Sequence, residues 1–105
     1  MILEITDSSF EVQVLDSKKT AVVCFWSTKS KPSTITRSII EEISIEYDSK
    51  TVFGCINIDE NKEQASKYGI KNIPAVLIFK NGKLFVRSVG VVPKKTYIED
   101  IQTLL

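Results

Sequence analysis

The chain has 105 residues, 43% of them hydrophobic and 26% charged, with a formal net charge of +1. This suits one domain over residues 1–105 with a single real core, and it gives no electrostatic case for nucleic acid or an acidic membrane surface. Histidine is absent and cysteine occurs only at Cys24 and Cys55. The commonest metal ligand and the usual general base are therefore missing, and neither a metal centre nor a compact Cys-x-x-Cys motif is expected.

The opening MILEI reads as a short edge strand. It has no basic segment followed by a long apolar stretch, so no signal peptide is expected, and no apolar run is long enough to span a bilayer. TDSSFEVQVLDS offers capping residues at Thr6, Asp7 and Ser8 before a short helix. TAVVCFW, residues 20–26, is apolar almost throughout, which predicts a strand covered on both faces. From Ile35 the apolar residues Ile35, Ile39, Ile40, Ile43 and Tyr47 mark one stripe of an amphipathic helix, with Glu41, Glu42 and Glu46 on the wet side.

TVFGCINID predicts a second buried strand, and NKEQASKYG a short helix ended by Gly69. AVLIFKNGKLFVRSVG places two strands around Asn81-Gly82, a strong signal for a tight antiparallel hairpin. PKKTYIEDIQTLL is a last helix with Tyr97, Ile98, Ile101, Leu104 and Leu105 on its apolar face. The order βαβαβαββα predicts an α/β fold, with parallel strands first and an antiparallel hairpin last.

VVCFW, SIIEEISIEYDSKTVFGCINIDEN, ASKYGIKNIPAVLIFKNGK and VGVVPK follow one another in an order and spacing that resemble the thioredoxin family over nearly the whole chain. The most specific stretch is Lys67 to Gly82, with Tyr68-Gly69-Ile70, Ile73-Pro74 and Lys80-Asn81-Gly82. The resemblance implies a mixed five-stranded sheet flanked by four helices and a cis peptide bond before Pro74. It also implies a groove for an extended protein segment, built from Trp26, Pro32, Ile58, Ile73, Pro74, Val89, Gly90 and Val91. Gly90 is expected to let the partner backbone approach closely.

The departures from the family are specific. Its Trp-Cys-Gly-Pro-Cys becomes Lys29-Ser30-Lys31-Pro32-Ser33 here, leaving only the proline. The helix-bending proline is Ser38. The buried aspartate and its lysine partner, which assist proton movement in the family, become Cys24 and Cys55.

Disulfide exchange needs one thiolate to attack and a second thiol to resolve, so serine at positions 30 and 33 leaves no catalytic residue as the chain stands. Ser30 and Ser33 suit the helix start as caps. Cys24 and Cys55 suit inert packing as small hydrophobes. Lys29 and Lys31 beside the helix start offer a weaker anion-binding signal.

Two readings follow. The first is a redox-silent, thioredoxin-like module, monomeric and without a cofactor, that binds a protein or extended peptide non-covalently. The alternative is an ordinary thioredoxin seen as an active-site Cys→Ser variant. That protein would be a protein-disulfide reductase in electron transfer and cell redox homeostasis, fed by thioredoxin reductase. Either suits a reducing compartment, the cytoplasm or an organelle stroma.

Overall fold

Thr20–Trp26 forms strand β2 and takes the middle of the sheet, as its unbroken apolar run requires. The computed structural model describes residues 1–105. Strand β1 is Leu3–Ile5, β3 is Thr51–Asn57, β4 is Ala75–Lys80 and β5 is Lys83–Val89, and they line up as β1-β3-β2-β4-β5. β3 pairs in parallel with β1 and β2, whereas β4 runs antiparallel to both β2 and β5. Parallel pairing first and an antiparallel hairpin last is the predicted arrangement. The β4–β5 turn has positive φ at both Asn81 (51°) and Gly82 (76°), the backbone that an Asn-Gly hairpin demands.

Three α-helices and one π-helical turn cover the sheet. The turn spans Glu11–Leu15; helix α1 is Lys31–Tyr47, α2 is Lys62–Lys67 and α3 is Lys94–Thr103. On one face Phe10, Val14, Ala21, Val23, Phe25, Ile56, Leu77 and Phe79 form a core beneath the π turn and α2. On the other face Val22, Cys24, Ile40, Phe53, Cys55, Tyr97 and Ile101 form a second core beneath α1 and α3. Alternate residues of β2 feed opposite cores, which is why almost every position of that strand is apolar. No helix is long and apolar enough to cross a membrane.

Several local expectations are corrected. Ile35 is 48% exposed, while Ser33, Thr36 and Ser44 are buried beside Ile40 and Ile43. The inner face of α1 is thus partly hydroxylic, and Ile35 lies off it. Leu105 is exposed and lies beyond the end of α3, whereas Leu104, at the C-cap, packs against the core. The segment after Ser8 winds as a π turn, closed by a bond of 2.8 Å from Asp16 N–H to the Glu11 carbonyl. Its N-cap position is Phe10, with no side-chain cap.

Asp7 caps a different helix. Its carboxylate accepts from the N–H groups of Glu63 (3.1 Å) and Gln64 (3.0 Å) at the start of α2. Asn61 completes the link, its Oδ1 accepting from Asp7 N–H at 2.9 Å and its Nδ2 donating to the Asn57 carbonyl at 3.0 Å. Helix α2 is too short to hold itself together, so it depends on this cap and on burial of Ala65. Asp7→Ala should therefore lower stability by about 1–2 kcal/mol, with amide exchange accelerated first in α2; chemical denaturation and hydrogen exchange check it.

Candidate functional site

The parallel strands β2 and β3 end at the same rim of the sheet, where antiparallel β4 begins and β5 finishes. Trp26 closes β2, Ile58 follows β3, Ile73 and Pro74 precede β4, and Val89 closes β5 in register with Ala75. The topology alone brings these separated segments to one end. The Ile73–Pro74 peptide bond is cis. Gly90 N–H donates to the Pro74 carbonyl at 2.8 Å, tying the end of β5 to the proline turn.

The residues at this rim divide by exposure. Pro32, Val89 and Val91 are exposed, Trp26, Ile58, Ile73 and Gly90 are partly covered, and Pro74 is buried. Trp26 packs against the core under α1, whereas Ile58 and Ile73 pack against the opposite core. What they share is the rim between the two cores. Gly90 follows β5 at this rim. A side chain there would meet nothing within 4 Å of its Cβ, so crowding within the chain does not demand glycine, and its φ of +87° does.

Ser30 and Ser33 take different parts at the start of α1. Ser30 is the N-cap, with extended backbone, and its hydroxyl accepts from Ser33 N–H at 3.3 Å. Pro32 sits in the first turn, where a missing N–H costs nothing. Ser33 is fully buried; its hydroxyl accepts from Ser27 N–H at 3.1 Å and faces the carbonyls of Ser30 (2.9 Å) and Ser27 (3.1 Å). This hydroxyl knits the turn to the helix and has no base beside it, so it is no hydrolytic nucleophile.

Helix α1 runs unbroken through Ser38, whose hydroxyl donates to the Thr34 carbonyl at 3.3 Å. Sequence reasoning missed Ser27 and Asp59. The buried Ser27 hydroxyl donates to Asp59 Oδ2 at 2.6 Å and accepts from Lys29 N–H at 3.1 Å, which fixes the turn. Nothing in their spacing announces this, because the partners lie on different strand ends. Arg37 was missed as well. It stacks 4.4 Å over the Trp26 ring and pairs with both carboxylate oxygens of Glu4. The indole Nε1 is buried without a partner in the fold.

Beneath this end, Cys24 and Cys55 are register partners on β2 and β3, both wholly buried and both free thiols. The neighbouring Cys55 thiol and burial hold the Cys24 thiol well above its ordinary pKa. A protonated, inaccessible thiol neither attacks a substrate disulfide nor resolves one. Lys29 and Lys31 are exposed beside the α1 start and join none of the ion pairs.

Comparison with known proteins agrees with this architecture. The thioredoxin family model matches residues 1–103. The thioredoxin of Rickettsia bellii is 44% identical over 99 residues, 94% of each chain. That of Buchnera aphidicola from Acyrthosiphon pisum is 44% identical over 93 residues, 89% of this chain and 86% of its own. A thioredoxin of Synechocystis is 37% identical over 102 residues, 97% of this chain and 95% of its own. With its sheet order, its hairpin and its match along almost all of its length, the chain belongs to the thioredoxin family.

Proposed function

We propose that this platform is that of a thioredoxin acting at protein disulfides, which receives an extended segment of a partner protein at the Ile73–Pro74 rim and, with cysteine at positions 30 and 33, exchanges with it there. The observation that supports this most directly is the setting of position 30. It caps a 17-residue helix, where free N–H groups favour a developing negative charge. The relatives, all named thioredoxin, point to the same redox role. With serine at both positions the chain is the exchange-dead form of that platform. Cysteine at both is what electron transfer to a substrate disulfide requires, with thioredoxin reductase as the electron donor. A reducing compartment, the cytoplasm or an organelle stroma, fits this role and the free Cys24 and Cys55. The experiment that tests it restores both sulfurs and measures reduction of a protein disulfide.

A second reading rests on a separate observation. Ser33 is fully integrated by hydrogen bonds, and two thiols are register partners where the family resemblance implies a buried charge pair. That combination suits a redox-silent module which retains non-covalent binding at the same rim. Both readings place the partner segment against Ile73. Ile73→Asp should thus weaken capture of a peptide or protein partner by about tenfold or more, because a carboxylate would face an apolar contact without a partner. Fluorescence anisotropy of a labelled partner measures it, and unchanged affinity would move the binding surface elsewhere.

A further inference from the structure

The fold gathers at the far end of the sheet what the sequence scatters. Lys18 and Lys19 lead into β2, Lys50 leads into β3, and Lys80 closes β4. Thr20 pairs with Thr51 across β2–β3, and Ala21 pairs with Phe79 across β2–β4. Three hydrogen-bonded neighbours, spaced about 4.8 Å apart, therefore each bring lysine to the same rim. Together with Thr20, Leu104 and Leu105 these lysines line a concavity of about 440 Å³. The adjoining depressions, which share Lys80 and Leu104 or Lys19 with it, measure about 380 and 230 Å³, so this is the largest of the three, and it lies at the opposite end from Ser30 and Pro74.

The charge at this rim is uncompensated by the fold's ion pairs, which join Met1 to Asp48, Arg37 to Glu4 and Lys94 to Glu42. Asp48, two residues before Lys50, is engaged by the Met1 amine at 3.2 Å. Lys80 is moreover in register with Lys83, so like charges face each other across the hairpin. Such pairs are destabilising unless something negative lies between or beside them. Because the whole chain carries only +1, this is a local concentration and not general basicity.

We propose that this concavity binds a small anion carrying several phosphate groups. Lysine binds phosphate as a mobile point charge, and lysines brought to one depression by separate strands suit a ligand with charge distributed over several oxygens. The volume lies in the range of small-molecule sites. No aromatic side chain lines it, so the phosphates are recognised and not an attached base. An acidic polypeptide would follow a stripe across the surface, whereas these lysines surround one depression.

Isothermal titration of the intact chain with inorganic tripolyphosphate tests this. The expected result is saturable one-to-one binding that weakens with added salt. The double variant Lys50→Gln/Lys80→Gln should bind about tenfold more weakly or worse, while Lys94→Gln/Lys95→Gln, at the start of α3, should bind as the parent does. Thermal melts confirm that both variants are folded. Absence of saturation overturns the proposal. So does equal weakening in the two variants, which would mean diffuse charge, or tighter binding of a polyglutamate peptide of matched charge, which would mean an acidic protein partner.

Discussion

Replacing Ser30 and Ser33 together by cysteine should turn an inert chain into one that reduces a protein disulfide with a small dithiol as electron source. The expectation rests on what each position supplies. A sulfur at position 30 would sit at the N-cap of α1, where the helix N-terminus stabilises the thiolate. An ordinary thiol with pKa about 8.5 is about 3% thiolate at pH 7; pulled down to about 7 it is about half thiolate, a gain of about sixteenfold. The lower basicity of that sulfur returns about four- to sixfold of this in nucleophilicity. Ser30→Cys alone should thus be alkylated about three- to fourfold faster than an unperturbed thiol at neutral pH.

Alkylation needs one sulfur and turnover needs two. The sulfur introduced at position 30 attacks a substrate sulfur, forms the mixed disulfide and releases the first substrate thiolate. A sulfur introduced at position 33 then attacks position 30 and releases the second, so two electrons pass from the pair to the substrate. Ser33 is fully buried and already lies within hydrogen-bond reach of the Ser30 backbone, so the second step asks for little movement. The single variant should stop at the mixed disulfide. If the folded double variant reduces a test disulfide, serine was all that silenced the site. If it is folded and inactive, Cys24, Cys55, Lys29 and Ser38 have already removed the supporting chemistry, and the redox-silent reading stands.

How much of this was legible in the sequence depended on whether the deciding contact was local. Strand β2 was plain, since burial on both faces leaves an apolar residue at nearly every position from Thr20 to Trp26. So was the hairpin, because Asn81-Gly82 encodes positive φ by itself. The inner face of α1 was misread for a physical reason. Ser33, Thr36 and Ser44 are buried there, so a stripe drawn through apolar residues alone drifts outward onto Ile35. Asp7 caps a helix whose first turn lies more than fifty positions away, and no periodicity reports such a bond. The rim residues Trp26, Ile58 and Ile73 were proposed from family pattern, but that Trp26 packs against one core and Ile58 and Ile73 against the other is a property of the sheet's pleat. The lysine concavity is the extreme case. Lys19, Lys50 and Lys80 are 31 and 30 positions apart in turn and meet only because strands β2, β3 and β4 are neighbours.

Cys24→Asp should be among the most damaging single substitutions in this chain, and its cost should depend on pH. Position 24 is wholly buried in the middle strand, among Val22, Ile40, Phe53, Val76 and Ile78. A carboxylate left unpaired there costs about 3–5 kcal/mol, a large part of the stability of a domain this size. Burial would raise the folded-state pKa of the new carboxyl above its unfolded value near 3.9. The sign follows from that. Below about pH 4 the group is protonated in both states, and only the smaller cost of a neutral polar group remains. As pH rises from there the unfolded state ionises first, and stability falls by about 1.4 kcal/mol per pH unit until the folded pKa is passed. Cys24→Asn should be destabilised by an amount that hardly changes with pH. Adding Cys55→Lys to Cys24→Asp places the opposite charge at the register partner, and should recover part of the loss at neutral pH. Urea unfolding of the three variants at pH 4 and pH 7 measures all of this. A Cys24→Asp cost below about 1 kcal/mol and flat with pH would mean that the site already accommodates charge. The two thiols would then not be a relief from a buried ion pair, and the second reading would lose the observation that favours it.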